Sequence, residues 1–150
     1  MKKEYYFLRP GAIYAGVDPV EIHTVLGSCV SICIFDKTKG VGGMNHFLYH
    51  QALSNPRSCR YGDVALPHLL KLVLSLGANP RRLFAHVVGG AGGLIAGSMV
   101  GNMNITAARK FLIDMNIPVN VADVGGKGYR KVVFCNASGE ISIVKGEKDG

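Results

Sequence analysis

The chain has no internal repeat, no low-complexity tract and no recognisable secretory leader. Its 150 residues therefore read as one globular domain spanning 1–150. Lys2-Lys3 is followed by Glu4, Arg9 and Pro10, which interrupt any apolar leader core. The cysteines at 29, 33, 59 and 135 are accordingly expected as thiols in a reduced, cytoplasmic compartment. Acidic side chains are scarce, 10 against 17 Lys and Arg, for a formal net charge of +7. Such a balance favours an acidic partner: nucleic acid, an anionic membrane or an acidic protein. The densest basic spots are Lys2-Lys3, Arg81-Arg82 and Arg130-Lys131. None is interleaved with aromatics and no groove-reading motif is present, so a basic soluble surface is expected rather than nucleic-acid binding. Leu83 to Ala108 lacks any Asp, Glu, Lys or Arg, and Gly93, Gly97 and Gly101 have the spacing of a helix-dimerising motif. Its many glycines, with His86, Ser98, Asn102, Asn104 and Thr106, fit a strand, a glycine loop and a helix start better than a membrane span.

What is present is a mixture of strand and helix patterns. Ala12 to Ala15 and Cys29 to Phe35 are rich in β-branched and aromatic residues and predict strands. A turn at Asp36-Lys37-Thr38-Lys39-Gly40 returns the chain into a strand over Val41 to Leu48. Leu66, Leu69, Leu70, Val73 and Leu74 follow helical spacing, with Gly77 as the stop. Pro67 within that stretch is tolerable only near the first turn or as a kink. Leu83 to Val88 predicts a strand; Asn102 or Asn104 can cap a helix carrying Ile105, Ala108, Leu112 and Met115, ended by Pro118. Val119 to Val124, Lys131 to Phe134 and Ile141 to Val144 complete the strands. The fold class expected is a layered α/β sandwich with a mixed β-sheet.

Cys29 stands in Thr24-Val25-Leu26-Gly27-Ser28-Cys29, directly before an apolar run; His46 stands in Gly42-Gly43-Met44-Asn45-His46-Phe47. The two segments run in opposed directions, so the start of the first meets the end of the second. Cys29 and His46 are then expected at the same end of a sheet. A nearby imidazole deprotonates a thiol and stabilises the thiolate, the reactive species. A buried structural thiol is the ordinary fate of a cysteine so placed. The small Gly27-Ser28 lead-in tilts the reading, because it lets a carbonyl approach the sulfur and offers backbone N–H groups to an oxyanion. Cys33 has no such lead-in and is expected to pack, and Cys59 and Cys135 have no motif context. His23, His50, His68 and His86 are assigned to surface or core.

Two other chemistries can be weighed. Cys29-x3-Cys33-x12-His46-x3-His50 has the spacing of a two-Cys, two-His zinc finger. A finger sets its histidines on a helix, and Lys39 to Gly43 is a poor helix former. The stretch between the cysteines is apolar strand where a finger has a turn, so no metal is expected. Gly89-Gly90-Ala91-Gly92-Gly93 follows a strand as a dinucleotide loop does, yet Ile95 stands where the third small residue belongs. A tight turn shaping the wall of a site is the expected role.

The ordered set of motifs resembles the CheD family of chemoreceptor glutamine deamidases. The blocks are Thr-x-Leu-Gly-Ser-Cys-Val, Gly-Gly-Met-Asn-His-Phe, Arg60-Tyr61-Gly62-Asp63-Val64-Ala65, Gly89-Gly90-Ala91, Gly101-x-x-Asn104, Ile117-Pro118-Val119 and Asp123-Val124-Gly125-Gly126 with Arg130-Lys131. Met103 stands where the family pattern has Arg, Tyr49-His50 where Leu-Pro is commoner, and Pro67 inside a segment normally free of proline. The resemblance implies an α/β sandwich in which Cys29 is the nucleophile and His46 the general base and acid. Thr24 would complete the triad, by orienting the imidazole or by helping to bind the oxyanion. It implies hydrolysis of Gln side chains of chemoreceptor cytoplasmic domains to Glu through a thioester, some action on glutamyl methyl esters, no cofactor, and binding to a CheC-type phosphatase. The other function the resemblance allows is a non-catalytic module that only binds such a phosphatase.

Overall fold

The computed structural model describes residues 4–55, 57–92 and 99–146. In chain order the elements are β1 (Glu4–Phe7), β2 (Ile13–Gly16), β3 (Val20–Leu26), β4 (Val30–Asp36), β5 (Val41–Asn45), α1 (Gly62–Ser75), a 3-10 turn at Pro80–Arg82, β6 (Phe84–Gly89), α2 (Val100–Asp114), β7 (Val119–Val124), β8 (Tyr129–Cys135) and β9 (Ile141–Gly146). They form two mixed sheets, where the sequence suggested one. The order is β1-β3-β8-β9 in the four-stranded sheet and β2-β5-β4-β6-β7 in the five-stranded sheet. Each contains one parallel pair, β1 with β3 and β6 with β7.

The layers follow from the alternation of side chains along β4. Val30, Ile32 and Ile34 face α1 and α2, where they pack with Leu66, Leu69, Val73, Ala108 and Leu112. Cys33 and Phe35 face the four-stranded sheet and pack with Ile22, Leu26, Val132 and Phe134. β4 is buried along its whole length, as a central strand covered on both faces must be. The result is helices, then the five-stranded sheet, then the four-stranded sheet: the α/β sandwich expected from the sequence.

Several boundaries differ from the sequence reading, each for a local reason. β5 ends at Asn45 rather than Leu48 because the Asn45 carboxamide intercepts the ladder. Its oxygen accepts the Ile32 N–H at 2.9 Å, and its nitrogen donates to the Ala65 carbonyl of α1 at 3.1 Å. Pairing resumes at Phe47, which exchanges two backbone hydrogen bonds with Val30. α1 starts before the apolar stripe does, and Pro67 lies in its second turn, where the missing N–H leaves the Asp63 carbonyl without a helical donor. α2 begins at Val100 with no side-chain cap, so neither Asn102 nor Asn104 caps it. Asn116, in the left-handed region at φ 57°, follows its end and stops it ahead of Pro118. The uncharged stretch 83–108 divides into β6 and the start of α2. Gly93, Ile95, Gly97 and Ser98 lie outside the described residues. Among the described residues no helix is long and apolar enough to cross a membrane.

Candidate functional site

Cys29 directly precedes β4 and His46 directly follows β5. Met44 pairs with Cys33 and Phe47 with Val30, so one register runs through both ends. It sets Ser31 opposite His46 and Leu48 opposite Cys29. Phe47 points to the helices and Met44 to the other sheet; by alternation His46 shares the inter-sheet face with Cys29 and Ser31. Cys29 and His46 are diagonal neighbours, about 7–8 Å apart between α-carbons. The sequence expectation that they meet at one end of the sheet therefore holds.

Thr24 comes from the opposite sheet. It is 2% exposed, and its hydroxyl lies 2.8 Å from His46 Nδ1 and 2.8 Å from the Leu8 carbonyl. A hydroxyl has one proton. Given to Leu8, it leaves Thr24 Oγ1 an acceptor, so Nδ1 carries the hydrogen and Nε2 keeps its lone pair. Leu8 in turn is held by its N–H to His23, and the His46 carbonyl accepts from Gly11. The segment after β1 thus closes over the back of the imidazole.

Electrostatics leave this pair neutral at rest. Burial drives the His46 imidazole down from 6.5 to about 4, against a smaller upward pull from the Leu8 carbonyl. Burial likewise pushes the Cys29 thiol up, opposed only by its own backbone N–H. Both shifts favour the uncharged forms, thiol and imidazole, over a thiolate–imidazolium pair.

The His46 shift predicts acid lability. Unfolded, the imidazole titrates near 6.5; folded, at about 4. Between those values the unfolded chain holds the extra proton, so stability is complete above pH 6.5 and drains away as pH falls towards 4. The loss from His46 is up to about 3 kcal/mol. His86, also lowered by burial, adds in the same direction. Urea titrations at pH 7 and pH 4.5 should show the loss, and His46→Asn, which keeps a donor for Thr24, should show less of it. Equal losses in the two proteins would remove His46 as the cause.

The approach to Cys29 is held by two groups: the glycine loop, expected from the sequence, and Asn104, which the sequence suggested only as a helix cap. Gly90 N–H donates to the Cys29 carbonyl and Ala91 N–H to the Gly27 carbonyl, both at 2.9 Å. Gly89 has φ +111°, and a β-carbon there would collide with the Cys29 carbonyl oxygen. The glycine loop therefore does shape the wall of the site. Asn104, fully buried in α2, donates through Nδ2 to the Ser28 carbonyl at 3.1 Å and to the Leu48 carbonyl at 2.8 Å. One amide so spans the residue before Cys29 and the segment after β5 that carries His46. A legible signal existed for Thr24: in β3 the inward positions are Val20, Ile22, Thr24 and Leu26, while Val25 points outward. A polar residue inside and an apolar one outside mark a break in the pattern.

The remaining candidates fall elsewhere. Cys33 is fully buried between the sheets, and Cys59 and Cys135 are half-buried away from any motif. His86 packs against Phe35 and Phe134, and His23 against Tyr5. The 46–50 stretch is extended, not the helix a zinc finger requires. Among the described residues no three His, Cys, Asp or Glu are grouped to hold a metal ion.

Comparison with known proteins places the sequence in a family. Residues 49–145 match the family described as CheD chemotactic sensory transduction; that span begins just past His46. The chain is 38% identical over 150 residues to the probable chemoreceptor glutamine deamidase CheD of Trichlorobacter lovleyi, covering 95% of this chain and 91% of that protein. It is 40% identical over 131 residues to the probable chemoreceptor glutamine deamidase CheD 1 of Anaeromyxobacter dehalogenans, covering 85% and 77%. With the CheD of Rhodospirillum rubrum, likewise named a probable chemoreceptor glutamine deamidase, the figures are 38% over 140 residues, 91% and 80%. This chain belongs to the CheD family.

Proposed function

We propose that the protein is a chemoreceptor glutamine deamidase, with Cys29 as nucleophile, His46 as general base and acid, and Thr24 as the group that orients His46. The observation that supports it best is the hydrogen bond from His46 Nδ1 to Thr24, which leaves Nε2 free on the sheet face shared with Cys29. The names of the relatives agree with it. Carboxamides are poor electrophiles, so a covalent step and a cradle for the oxyanion are needed.

The steps follow from the neutral resting pair. As Sγ attacks the side-chain carbonyl carbon of a receptor Gln, its proton passes to His46 Nε2. The carbonyl electrons move to oxygen, which the N–H groups of the 27–29 lead-in can receive. His46 then gives the Nε2 proton to the departing nitrogen, the C–N bond breaks, ammonia leaves and a thioester remains. Water next attacks the thioester while His46 takes its proton; the bond to sulfur breaks, and His46 returns the proton to Sγ. The product is Glu. An imidazole of low basicity is a reluctant acceptor from the thiol but a ready donor to the amine. Thiol, imidazole and water balance every step, so the reading requires no metal or organic cofactor. A glutamyl methyl ester would enter the same acyl-enzyme, with methanol leaving.

The substrate is the cytoplasmic domain of a chemoreceptor, the compartment is the cytoplasm, and residues 1–150 act as one domain. A CheC-type phosphatase is the further partner the family resemblance suggests. The test is to incubate the protein with receptor cytoplasmic domains and read peptides by mass spectrometry. Conversion of particular helical glutamines to glutamate, with ammonia released and free glutamine a poor substrate, is the expected result. If every receptor glutamine keeps its mass, the protein is a binding module rather than an enzyme.

A further inference from the structure

Ser31 has no assigned part in this chemistry, yet its position is unusual. It is 0% exposed, and its hydroxyl has no hydrogen-bond partner. Buried hydroxyls are nearly always paired, and leaving one unpaired is costly. Ser31 lies two residues beyond Cys29 on the same face of β4, and the register sets it directly opposite His46. Because Val30 and Phe47 exchange both backbone bonds, Ser31 and His46 form a non-hydrogen-bonded pair, the closer kind for side chains. Its other lateral neighbour, Val88 of β6, is apolar and offers nothing to the hydroxyl.

The mechanism creates a need at this place. Once Sγ is bonded to carbon it no longer accepts the proton that His46 has taken. Nδ1–H is already given to Thr24, so the new Nε2–H has no acceptor until the leaving nitrogen turns towards it. We propose that Ser31 is a positioning residue whose hydroxyl oxygen accepts that Nε2–H and holds the imidazolium in place between the two proton transfers. This rests on the reading of Cys29 and His46 as nucleophile and base. The proton moves from Sγ to Nε2 and then to the departing nitrogen; Ser31 gains and loses none. Around His46, the residue before β4 contributes the Cys29 thiol, β3 the Thr24 hydroxyl, and the segment after β1 the Leu8 carbonyl. Arg130, on the same inward face of β8, is engaged by Asp123 and the Gly125 carbonyl.

The test needs no receptor. Iodoacetamide forms an S–C bond at Cys29 with loss of iodide, and near pH 6.5 the thiol proton must go to His46. Peptide mapping reads the rate at Cys29 alone. Ser31→Ala should slow it about tenfold, Ser31→Thr should restore it, and in a His46→Ala background Ser31→Ala should change nothing further. The stability of Ser31→Ala should equal or exceed that of the wild type, because an unpaired hydroxyl holds nothing together. Wild-type alkylation rates in Ser31→Ala, an equal slowing in the His46→Ala background, or loss of fold would each overturn the proposal. If alkylation depends on both residues while no receptor glutamine is converted, the substrate reading fails and the role of Ser31 stands.

Discussion

Cys29→Ala and His46→Ala should each lower conversion of receptor Gln to Glu by on the order of a thousandfold or more, with the fold intact. The reason is that neither half of the pair works alone. Without sulfur there is no acyl-enzyme, and without Nε2 the thiol keeps its proton, because burial holds Cys29 above the ordinary thiol range. The double variant should be little worse than either single one, as for residues acting as one unit. Thr24→Ala should cost less, since it frees the ring without removing the base. The pH profile supplies a second reading. kcat/KM should rise with pH as His46 loses its proton, at about 4, and stay level through neutrality, where an exposed imidazole would still be titrating. Turnover assayed by ammonia release, with circular dichroism on each variant, decides the matter. Full activity in Cys29→Ala would end the enzyme reading; a limb near 6.5 would end the buried-imidazole account.

Asn104 should prove the next most sensitive position, although it touches no reacting atom. Its Nδ2 is the donor for two carbonyls, Ser28 and Leu48, that lie beside Cys29 and His46 in the chain. Asn104→Ala leaves both without that donor, at a cost of about 2–4 kcal/mol in stability. Loosening the two strand ends should lower kcat on the order of a hundredfold, because small misplacements of reacting groups are expensive. Asn104→Asp is the sharper variant. It keeps the shape, removes both donors and sets a carboxylate against two carbonyl oxygens, so it should be the worse of the two. Urea denaturation and single-turnover deamidation would be measured together. An Asn104→Asp protein as stable and active as the wild type would show that the clamp is dispensable.

Much of the site was legible because its chemistry is local. The Gly27-Ser28-Cys29 lead-in, the return at Asp36 to Gly40 and the glycine pair before His46 sufficed to put thiol and imidazole at one sheet end. What escaped the sequence depends on distant neighbours. β3 was overlooked, yet it carries Thr24. Its inward pattern is broken at Thr24 itself, and its antiparallel partner β8 lies more than a hundred residues further along the chain. β1, read through as Glu4-Tyr5-Tyr6-Phe7, has no alternation to betray it. Asn104 reads as a helix cap, since only the packing of α2 on the 27–29 and 46–48 segments turns its amide inward. The direction in which the two groups are shifted is hidden from the sequence for the same reason: it follows from burial, a property of the whole fold.

The division of Thr24 from Cys29 and His46 between two sheets also bears on the order in which these residues are brought together. Cys29 and His46 belong to strands that meet through a short return and can pair early, as local contacts do. Thr24 belongs to a sheet that joins the first strand, β1, to β8 and β9, the last described elements of the chain. During synthesis the segments carrying Thr24, Cys29 and His46 are therefore all made before β8, the strand that holds β3 from its other side.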